Sequence, residues 1–131
     1  MKKTLKEIYN LQFIENPETG LLKHINKILN KTPDELDEDD ICVLIRQEMF
    51  LDISIPKAVE IIKEDHAAGD NYDYCLLYNL SNIEALLTDY KELIADLIII
   101  LEKDFEAISF EFEDEKKDYL ESIDRLKSKI A

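Results

Sequence analysis

Apolar residues recur along this chain at the three- and four-residue spacing that is typical of one face of an α-helix. The clearest stripe lies between two proline breaks, at Pro17 and Pro33. It is formed by Leu21, Leu22, Ile25, Ile28 and Leu29. An earlier stripe follows Thr4, which suits an N-cap position, and is formed by Leu5, Ile8, Tyr9 and Phe13. The first 33 residues are therefore predicted to contain two helices with core-facing sides.

The third predicted helix has the most complete start signal. Asp37 is a favourable N-cap residue, and acidic residues fill the first turn at 38–40, where the helix dipole favours negative charge. Leu36 and Ile41 have the spacing of a hydrophobic staple. A helix that starts here is expected to bury Ile41, Leu44, Ile45 and Met49.

Further start signals divide the middle of the chain. Ser54 is predicted to cap a helix in which Pro56 occupies the first turn, where its missing N–H loses no partner. Asp73 is a candidate cap for a short helix. The spacing of Ser81 and Glu84 fits a capping box at the start of another helix.

The C-terminal part of the chain has a heptad-like seam, in which apolar residues alternate in steps of three and four. Its members are Tyr90, Ile94, Leu97, Leu101, Phe105, Ile108 and Phe112, followed by Tyr119, Ile123, Leu126 and Ile130. Polar residues interrupt the seam at 115–116, so a bend is predicted between Phe110 and Glu115. Segment 108–112 also alternates with period two, and a short extended piece is the less favoured alternative there. The seam can be buried in a hairpin within the chain or against a second copy, and the hairpin is the preferred interpretation.

The composition favours helices throughout. Only two of the 131 residues are Gly and three are Pro, so the chain lacks the turn residues that an all-β fold requires. Hydrophobic residues make up 46% of the chain, and its length suits one domain. We predict an all-α fold: a single-domain helical bundle, residues 1–131, of about six or seven helices with a long, bent C-terminal segment.

The net charge of −14 is distributed unevenly. Residues 1–33 hold six Lys and three Glu, whereas residues 34–131 hold ten Lys or Arg and twenty-seven Asp or Glu. Such a field repels nucleic-acid phosphates and anionic lipids, and it accelerates encounter with a basic protein. Solubility alone is the alternative explanation. The clustering favours a basic protein partner and argues against nucleic acid and membrane as partners.

The sequence pattern indicates neither a signal peptide nor a membrane-spanning segment. The chain starts with lysines but has neither the apolar stretch nor the cleavage site of a signal peptide. Its longest apolar run, residues 97–101, is much shorter than the roughly 20 residues that span a bilayer. A cytoplasmic location is therefore predicted.

Catalytic, metal and cofactor chemistry have little support. The histidines, His24 and His66, and the cysteines, Cys42 and Cys75, have no spacing that is typical of a zinc site or a redox pair. The acidic run at 34–40 lacks the glycine that an EF-hand loop needs at its sixth position. We predict that the chain is not an enzyme and has no catalytic residue, metal or cofactor. A cysteine nucleophile activated by a base that the fold brings near is the minority alternative.

Two acidic clusters are candidate partner-binding surfaces. Helix capping explains the acids at 37–40 but does not require Asp34 and Glu35 as well. The predicted loop at 70–74 combines tyrosines with carboxylates, which suits a hot spot that faces Lys or Arg, although tyrosines are also common at core edges. The acid-rich segment 102–124 is interpreted instead as a solvated helical face with i,i+4 ion pairs. The candidate residues are Asp34, Glu35, Glu38, Asp39, Asp70, Tyr72, Asp73 and Tyr74.

Four short motifs follow one another between residues 36 and 80. They are an acidic cap with a Leu-Ile-x-Gln helix (36–47), an Ile-Pro-x-Ala helix start (55–58), a Gly-Asp-x-Tyr turn (69–72) and a Leu-Leu helix (76–77). In order and spacing, this segment resembles the immunity proteins of contact-dependent growth inhibition systems. The family pattern has Pro where this chain has His66, and Gly followed by an acid where it has Tyr74-Cys75. The resemblance therefore assigns no role to an acidic residue at this position of the chain.

The resemblance implies a protein that binds and blocks the toxin domain of its own strain, often a nuclease. A nuclease is basic where it holds nucleic acid, so an acidic binder can cover that surface. We therefore interpret the chain as a cytoplasmic immunity protein in a one-to-one complex with a cognate toxin, expected to be a basic nuclease. The alternative is a helical adaptor or a homodimeric scaffold that uses the seam of residues 90–130.

Overall fold

The computed structural model describes residues 2–85 and 87–131. Over these residues it contains seven α-helices, three short 3-10 helices and no strand. The α-helices are α1 (Leu5–Ile8), α2 (Gly20–Leu29), α3 (Glu38–Arg46), α4 (Leu51–Glu64), α5 (Cys75–Ser81), α6 (Lys91–Asp104) and α7 (Glu113–Ile130). The 3-10 helices are Pro33–Glu35, Thr88–Tyr90 and Phe105–Ala107. The predicted all-α fold is confirmed.

One hydrophobic core receives side chains from all seven α-helices. α3 packs against α4 and α5, α4 also packs against α6, and α7 packs against both α5 and α6. α1 packs on α2, and the Leu5 N–H donates to the Lys31 carbonyl across 2.9 Å. The contact between α5 and α7 brings together two segments that are about 40 residues apart in the chain, and it forms the site described below.

The first helix starts as predicted, but the first two helices bury less than predicted. Thr4 caps α1, and its hydroxyl accepts the Glu7 N–H at 3.3 Å. α1 ends at Ile8, however, so Phe13 lies outside the helix and is exposed. In α2, Leu21 is also exposed, because only part of the apolar face of this helix contacts the core. The buried members of that stripe are Ile25, Ile28 and Leu29.

The start of α3 agrees with the prediction. The Asp37 carboxylate accepts the Asp40 N–H at 2.9 Å, and the Asp40 carboxylate accepts the Asp37 N–H at 3.0 Å. This reciprocal pair is a capping box. Of the residues predicted to be buried, Ile41, Leu44 and Ile45 are buried. Met49 lies beyond the end of α3 and is only partly buried.

The start of α4 differs from the prediction. The N-cap is Phe50, whose φ of 50° is left-handed, and Ser54 is the fourth helical residue. The buried Ser54 hydroxyl donates to the Met49 carbonyl at 3.1 Å. Pro56 is the sixth residue of α4, so its missing N–H removes an interior hydrogen bond. The predicted cap was wrong because the left-handed conformation of Phe50 starts α4 soon after α3 ends. No sequence motif indicates that a non-glycine residue adopts this conformation.

Both ends of α5 also differ from the prediction. Its N-cap is Tyr74, with a φ of 69°, rather than Asp73. Ser81, which was predicted to start a further helix, is the last residue of α5. Its hydroxyl donates to the Tyr78 carbonyl at 2.7 Å and accepts from Arg125 Nε at 3.1 Å. The predicted capping box was wrong because this side chain is buried and bonded to α7.

The C-terminal seam is buried within the chain, where α6 packs against α7. The buried seam residues are Ile94, Leu97, Leu101, Tyr119, Ile123, Leu126 and Ile130. The break between the two helices covers residues 105–112, so the predicted bend was placed too late. The chain turns early because Phe105 and Phe110 pack on Tyr119, with ring centroids 6.0 and 5.4 Å away. Phe112 lies outside the seam and is exposed.

Candidate partner-binding surface

The first predicted cluster surrounds the start of α3. Two of its residues lie on the 3-10 helix Pro33–Glu35 and two lie in the first turn of α3, and all four are exposed. They are Asp34, Glu35, Glu38 and Asp39. Helix capping and the helix dipole stabilise carboxylates at such positions.

Two of these four residues, Asp34 and Glu35, contact other residues of the protein. Asp34 pairs with Lys2, which neutralises part of its charge. The Glu35 carboxylate accepts the Thr32 N–H at 2.9 Å, and this bond holds the pKa of Glu35 below its ordinary value. The exposed acids of α3 therefore contribute most of the uncompensated charge in this cluster.

A buried carboxylate, Asp40, lies beneath the same cluster and is only 2% exposed. It accepts hydrogen bonds from Lys31 Nζ at 2.7 Å and from the Asp37 N–H at 3.0 Å, and His24 Nε2 lies 2.8 Å away. Burial alone would raise the pKa of Asp40, but these hydrogen bonds outweigh burial and hold it below its ordinary value. The ionised Asp40 carboxylate therefore stabilises the fold and is not available to a partner.

We expect Asp40 to make the fold acid-sensitive. Because its pKa is lower in the folded than in the unfolded chain, its ionised form contributes stability that is fully present above about pH 4 and is lost as the pH falls through the folded-state value. The free energy of unfolding, measured with urea from about pH 7 to about pH 3, should fall less steeply in Asp40→Asn than in the wild type. Asp39→Asn, an exposed neighbour, is the control and should keep the wild-type slope. An unchanged slope in Asp40→Asn would exclude Asp40 as the cause.

The second predicted cluster, residues 70–74, contains two residues that face inward. Asp70 is 15% exposed, and its two carboxylate oxygens accept from the Arg46 guanidinium at 3.0 Å each. That guanidinium holds the pKa of Asp70 below its ordinary value. Tyr74 is half-buried, with its ring 5.5 Å from Phe110 and 5.7 Å from Tyr119 between centroids. These contacts position the loop.

Gly69 allows the same loop to close tightly. A Cβ atom at this position would lie 2.5 Å from the Tyr72 carbonyl oxygen, so a larger residue would displace the backbone. The remaining two predicted residues, Tyr72 and Asp73, are exposed. Tyr72 is 53% exposed.

The structure does not bring the two predicted clusters together. Asp39 lies in the first turn of α3, whereas Arg46, the partner of Asp70, is its last residue. The two residues are seven positions apart, which is about 10 Å along the helix axis. The clusters are therefore two surfaces at opposite ends of α3.

A cleft of about 430 Å³ opens between the loop that precedes α5 and the start of α7. Its aromatic lining comprises Tyr72, Tyr74, Tyr78 and Phe112. Its carboxylates are Asp73, Glu111, Asp114, Glu115 and Asp118, and Ser122 completes the lining. This acidic–aromatic cleft contains three of the predicted residues, and the sequence analysis missed its other wall.

The carboxylates of the acidic–aromatic cleft carry uncompensated charge. Over residues 2–85 and 87–131, none of the five forms an ion pair. The i,i+4 ion pairs of α7 join Glu121 to Lys117 at 4.0 Å and to Arg125 at 3.9 Å. Within the described part of segment 102–124, i,i+4 pairing therefore occurs around Glu121, and Glu102 pairs across the two helices with Lys127 at 3.3 Å. No local sequence signal indicates this second wall, because it depends on the packing of α7 against α5.

Other reactive groups in the described part of the chain are structural. Cys42 and Cys75 are buried. Burial raises the pKa of the Cys42 thiol to about 12, so this thiol stays protonated near neutral pH and is a poor nucleophile. Across residues 2–85 and 87–131, no group of three His, Cys, Asp or Glu side chains is arranged to hold a metal ion. In the same residues, the helices lack the length and apolar character needed to cross a membrane.

The fold and the acidic–aromatic cleft define an all-α protein whose exposed chemistry suits protein binding. The family model of CDI immunity proteins, where CDI is contact-dependent growth inhibition, matches residues 7–97. The chain therefore belongs to the family of CDI immunity proteins, and its function is toxin-neutralising immunity. Proteins of this family are in general not enzymes. A comparison with curated proteins finds no match.

The family match confirms the resemblance seen at residues 36–80 and extends it at both ends. It runs from α1 into α6, so it includes the loop wall of the acidic–aromatic cleft. The α7 wall lies beyond the matched residues. The cleft thus joins a family segment to a segment that the family model does not match.

Proposed function

We propose that this immunity protein forms a one-to-one complex in the cytoplasm with the toxin of its own strain, and that this toxin is a basic nuclease. The observation that carries the proposal is the charge of residues 34–131, in which ten Lys or Arg against twenty-seven Asp or Glu leave a net −17. A nuclease must hold phosphates with Lys and Arg, and an acidic surface is complementary to that face.

The two predicted clusters have different roles in this proposal. Around the start of α3, the exposed acids Glu38 and Asp39, with Asp34 and Glu35 beside them, steer the approach of a basic toxin. At the other end of α3, Tyr72 and Asp73 contact the toxin directly. Tyr74 and Asp70 hold these two residues in place from below.

Co-expression with the toxin domain encoded beside this gene tests the proposal. We expect cells to survive, the two proteins to co-purify, and light scattering to give the mass of a one-to-one complex. Continued killing without co-purification would contradict toxin binding. A toxin that hydrolyses neither DNA nor RNA would contradict the nuclease assignment alone. Light scattering of the isolated protein also tests the homodimeric scaffold, whose seam is buried within the chain.

Association with the toxin should depend strongly on salt. If the exposed acids steer the encounter, the association rate should fall roughly tenfold or more as ionic strength rises to physiological values, with little change in dissociation. Stopped-flow or surface-plasmon measurements give both rates. Glu38→Gln/Asp39→Asn should flatten this salt dependence.

The matched control is Glu92→Gln/Asp96→Asn, which removes the same charge from exposed positions on α6. It should keep the wild-type salt dependence if the α3 cluster is the steering surface. Equal flattening by both pairs would assign steering to the overall charge. An association rate that does not change with salt would show that the exposed acids do not steer the encounter.

A further inference from the structure

We propose that the acidic–aromatic cleft is the anchoring pocket for one arginine side chain of the toxin. This inference rests on the proposed function, because the arginine belongs to the toxin, and it names the group that the cleft recognises. A volume of about 430 Å³ falls within the range of roughly 300–1,000 Å³ in which protein sites enclose small ligands. The cleft can therefore enclose a single long side chain.

The aromatic walls of the cleft suit a planar cation. Phe112 and Tyr72 are 61% and 53% exposed, and both rings line this cleft. Guanidinium groups stack on such rings through cation–π attraction and planar contact. The protein already contains one example at the edge of the cleft, where the Arg125 guanidinium lies 5.0 Å from the centroid of Tyr78.

The charge of the cleft also selects a cation. Carboxylates in the first turn of α7 are explained in part by the helix dipole, since Glu113, Asp114 and Glu115 lie there. Asp73 and Asp118 lie outside that turn, and within the described residues neither makes an ion pair or a side-chain hydrogen bond. The fork of an arginine can bind carboxylates with two parallel hydrogen bonds, which a lysine cannot do. We therefore assign the pocket to arginine rather than lysine.

The pocket is preformed, which lowers the entropic cost of binding. The Asp70–Arg46 pair fastens the loop wall to the end of α3, and the Tyr74 ring packs on Tyr119 of α7. On the other wall, the Phe112 N–H donates to the Glu115 carboxylate at 3.1 Å and starts α7. The loop wall is therefore tied to α3 and α7, and the start of α7 is capped, before a partner arrives.

Nuclear magnetic resonance titration of the full chain tests the pocket without the toxin. The probe is N-acetyl-arginine-N-methylamide, compared with the lysine analogue and with the uncharged citrulline analogue. We expect the arginine probe to shift the signals of Tyr72, Phe112 and Asp118 and to bind more tightly than the other two. Shifts located elsewhere, or equal binding of the lysine or citrulline probe, would overturn the assignment.

Substitutions then test the pocket in the complex. Asp118→Asn and Phe112→Ala should each weaken toxin binding on the order of tenfold or more, with little change in melting temperature because both side chains lie outside the core. The control is Asp124→Asn, an exposed acid on the same helix, which should leave affinity within about twofold. Unchanged affinity in both cleft variants, with wild-type protection intact, would overturn the pocket and leave the proposed function standing. Absence of any complex with the wild type would overturn both.

Discussion

Replacing Tyr119 with alanine is expected to lower the free energy of unfolding by about 3–5 kcal/mol. Tyr119 is wholly buried on α7, and its truncation would leave a cavity among the rings of Tyr74, Phe105 and Phe110. The change also removes a hydroxyl that donates to the Leu101 carbonyl of α6 at 2.5 Å. Urea unfolding followed by circular dichroism measures the loss.

Tyr119→Phe is the matched control, because it removes the hydroxyl and keeps the ring. It should cost about 1 kcal/mol, the usual net value of one hydrogen bond. Since Tyr74 packs on Tyr119, the alanine variant should also weaken toxin binding at protein concentrations where it is still folded. A loss below about 1 kcal/mol in Tyr119→Ala would contradict the central role of this ring.

The sequence predicts the existence of the helices better than their ends. Hydrophobic periodicity identified the helical segments because burial on one helix face requires that spacing. The start of α3 was also predicted correctly, since the Asp37 capping box is a local interaction between neighbouring residues. The starts of α4 and α5 were not, because Phe50 and Tyr74 adopt left-handed backbone conformations that are uncommon for such residues. Tertiary packing, rather than local preference, imposes these conformations.

Half of the acidic–aromatic cleft could be predicted from the sequence. Tyr72 and Asp73 were identified because tyrosines beside carboxylates on a loop suggest a contact surface. Its other wall, residues 111–118, comes from α7, and local patterns do not reveal that α7 packs against α5. The acid-rich start of α7 thus lines the cleft only because α7 packs against α5.

The sequence also could not distinguish paired from unpaired carboxylates. Asp34 and Asp70 both looked like surplus acids, yet each has a basic partner far away in the chain. Lys2 pairs with Asp34 over 32 residues, and Arg46 pairs with Asp70 over 24 residues. Such pairs depend on the fold, so a count of acidic residues overstates the number of carboxylates that are free to meet a partner.

Asp70→Ala is expected to lower the free energy of unfolding by about 2–3 kcal/mol. The carboxylate accepts two hydrogen bonds from Arg46, whose side chain is 31% exposed. Removing it leaves a partly buried guanidinium without its partner, and the exposed part of that group limits the cost. Urea unfolding at neutral pH and low salt measures the change, with Asp73→Ala, an exposed acid in the same loop, as the control.

A double-mutant cycle with Arg46→Met separates the pair from the individual residues. The coupling between Arg46 and Asp70 should be about 1–2 kcal/mol, so the double variant should lose less stability than the sum of the single losses. Because the pair positions the loop that carries Tyr72, toxin affinity should fall in Arg46→Met as well as in Asp70→Ala. A carboxylate that contacts the toxin directly would give a different pattern, in which Asp70→Ala weakens binding, Arg46→Met does not, and stability changes little.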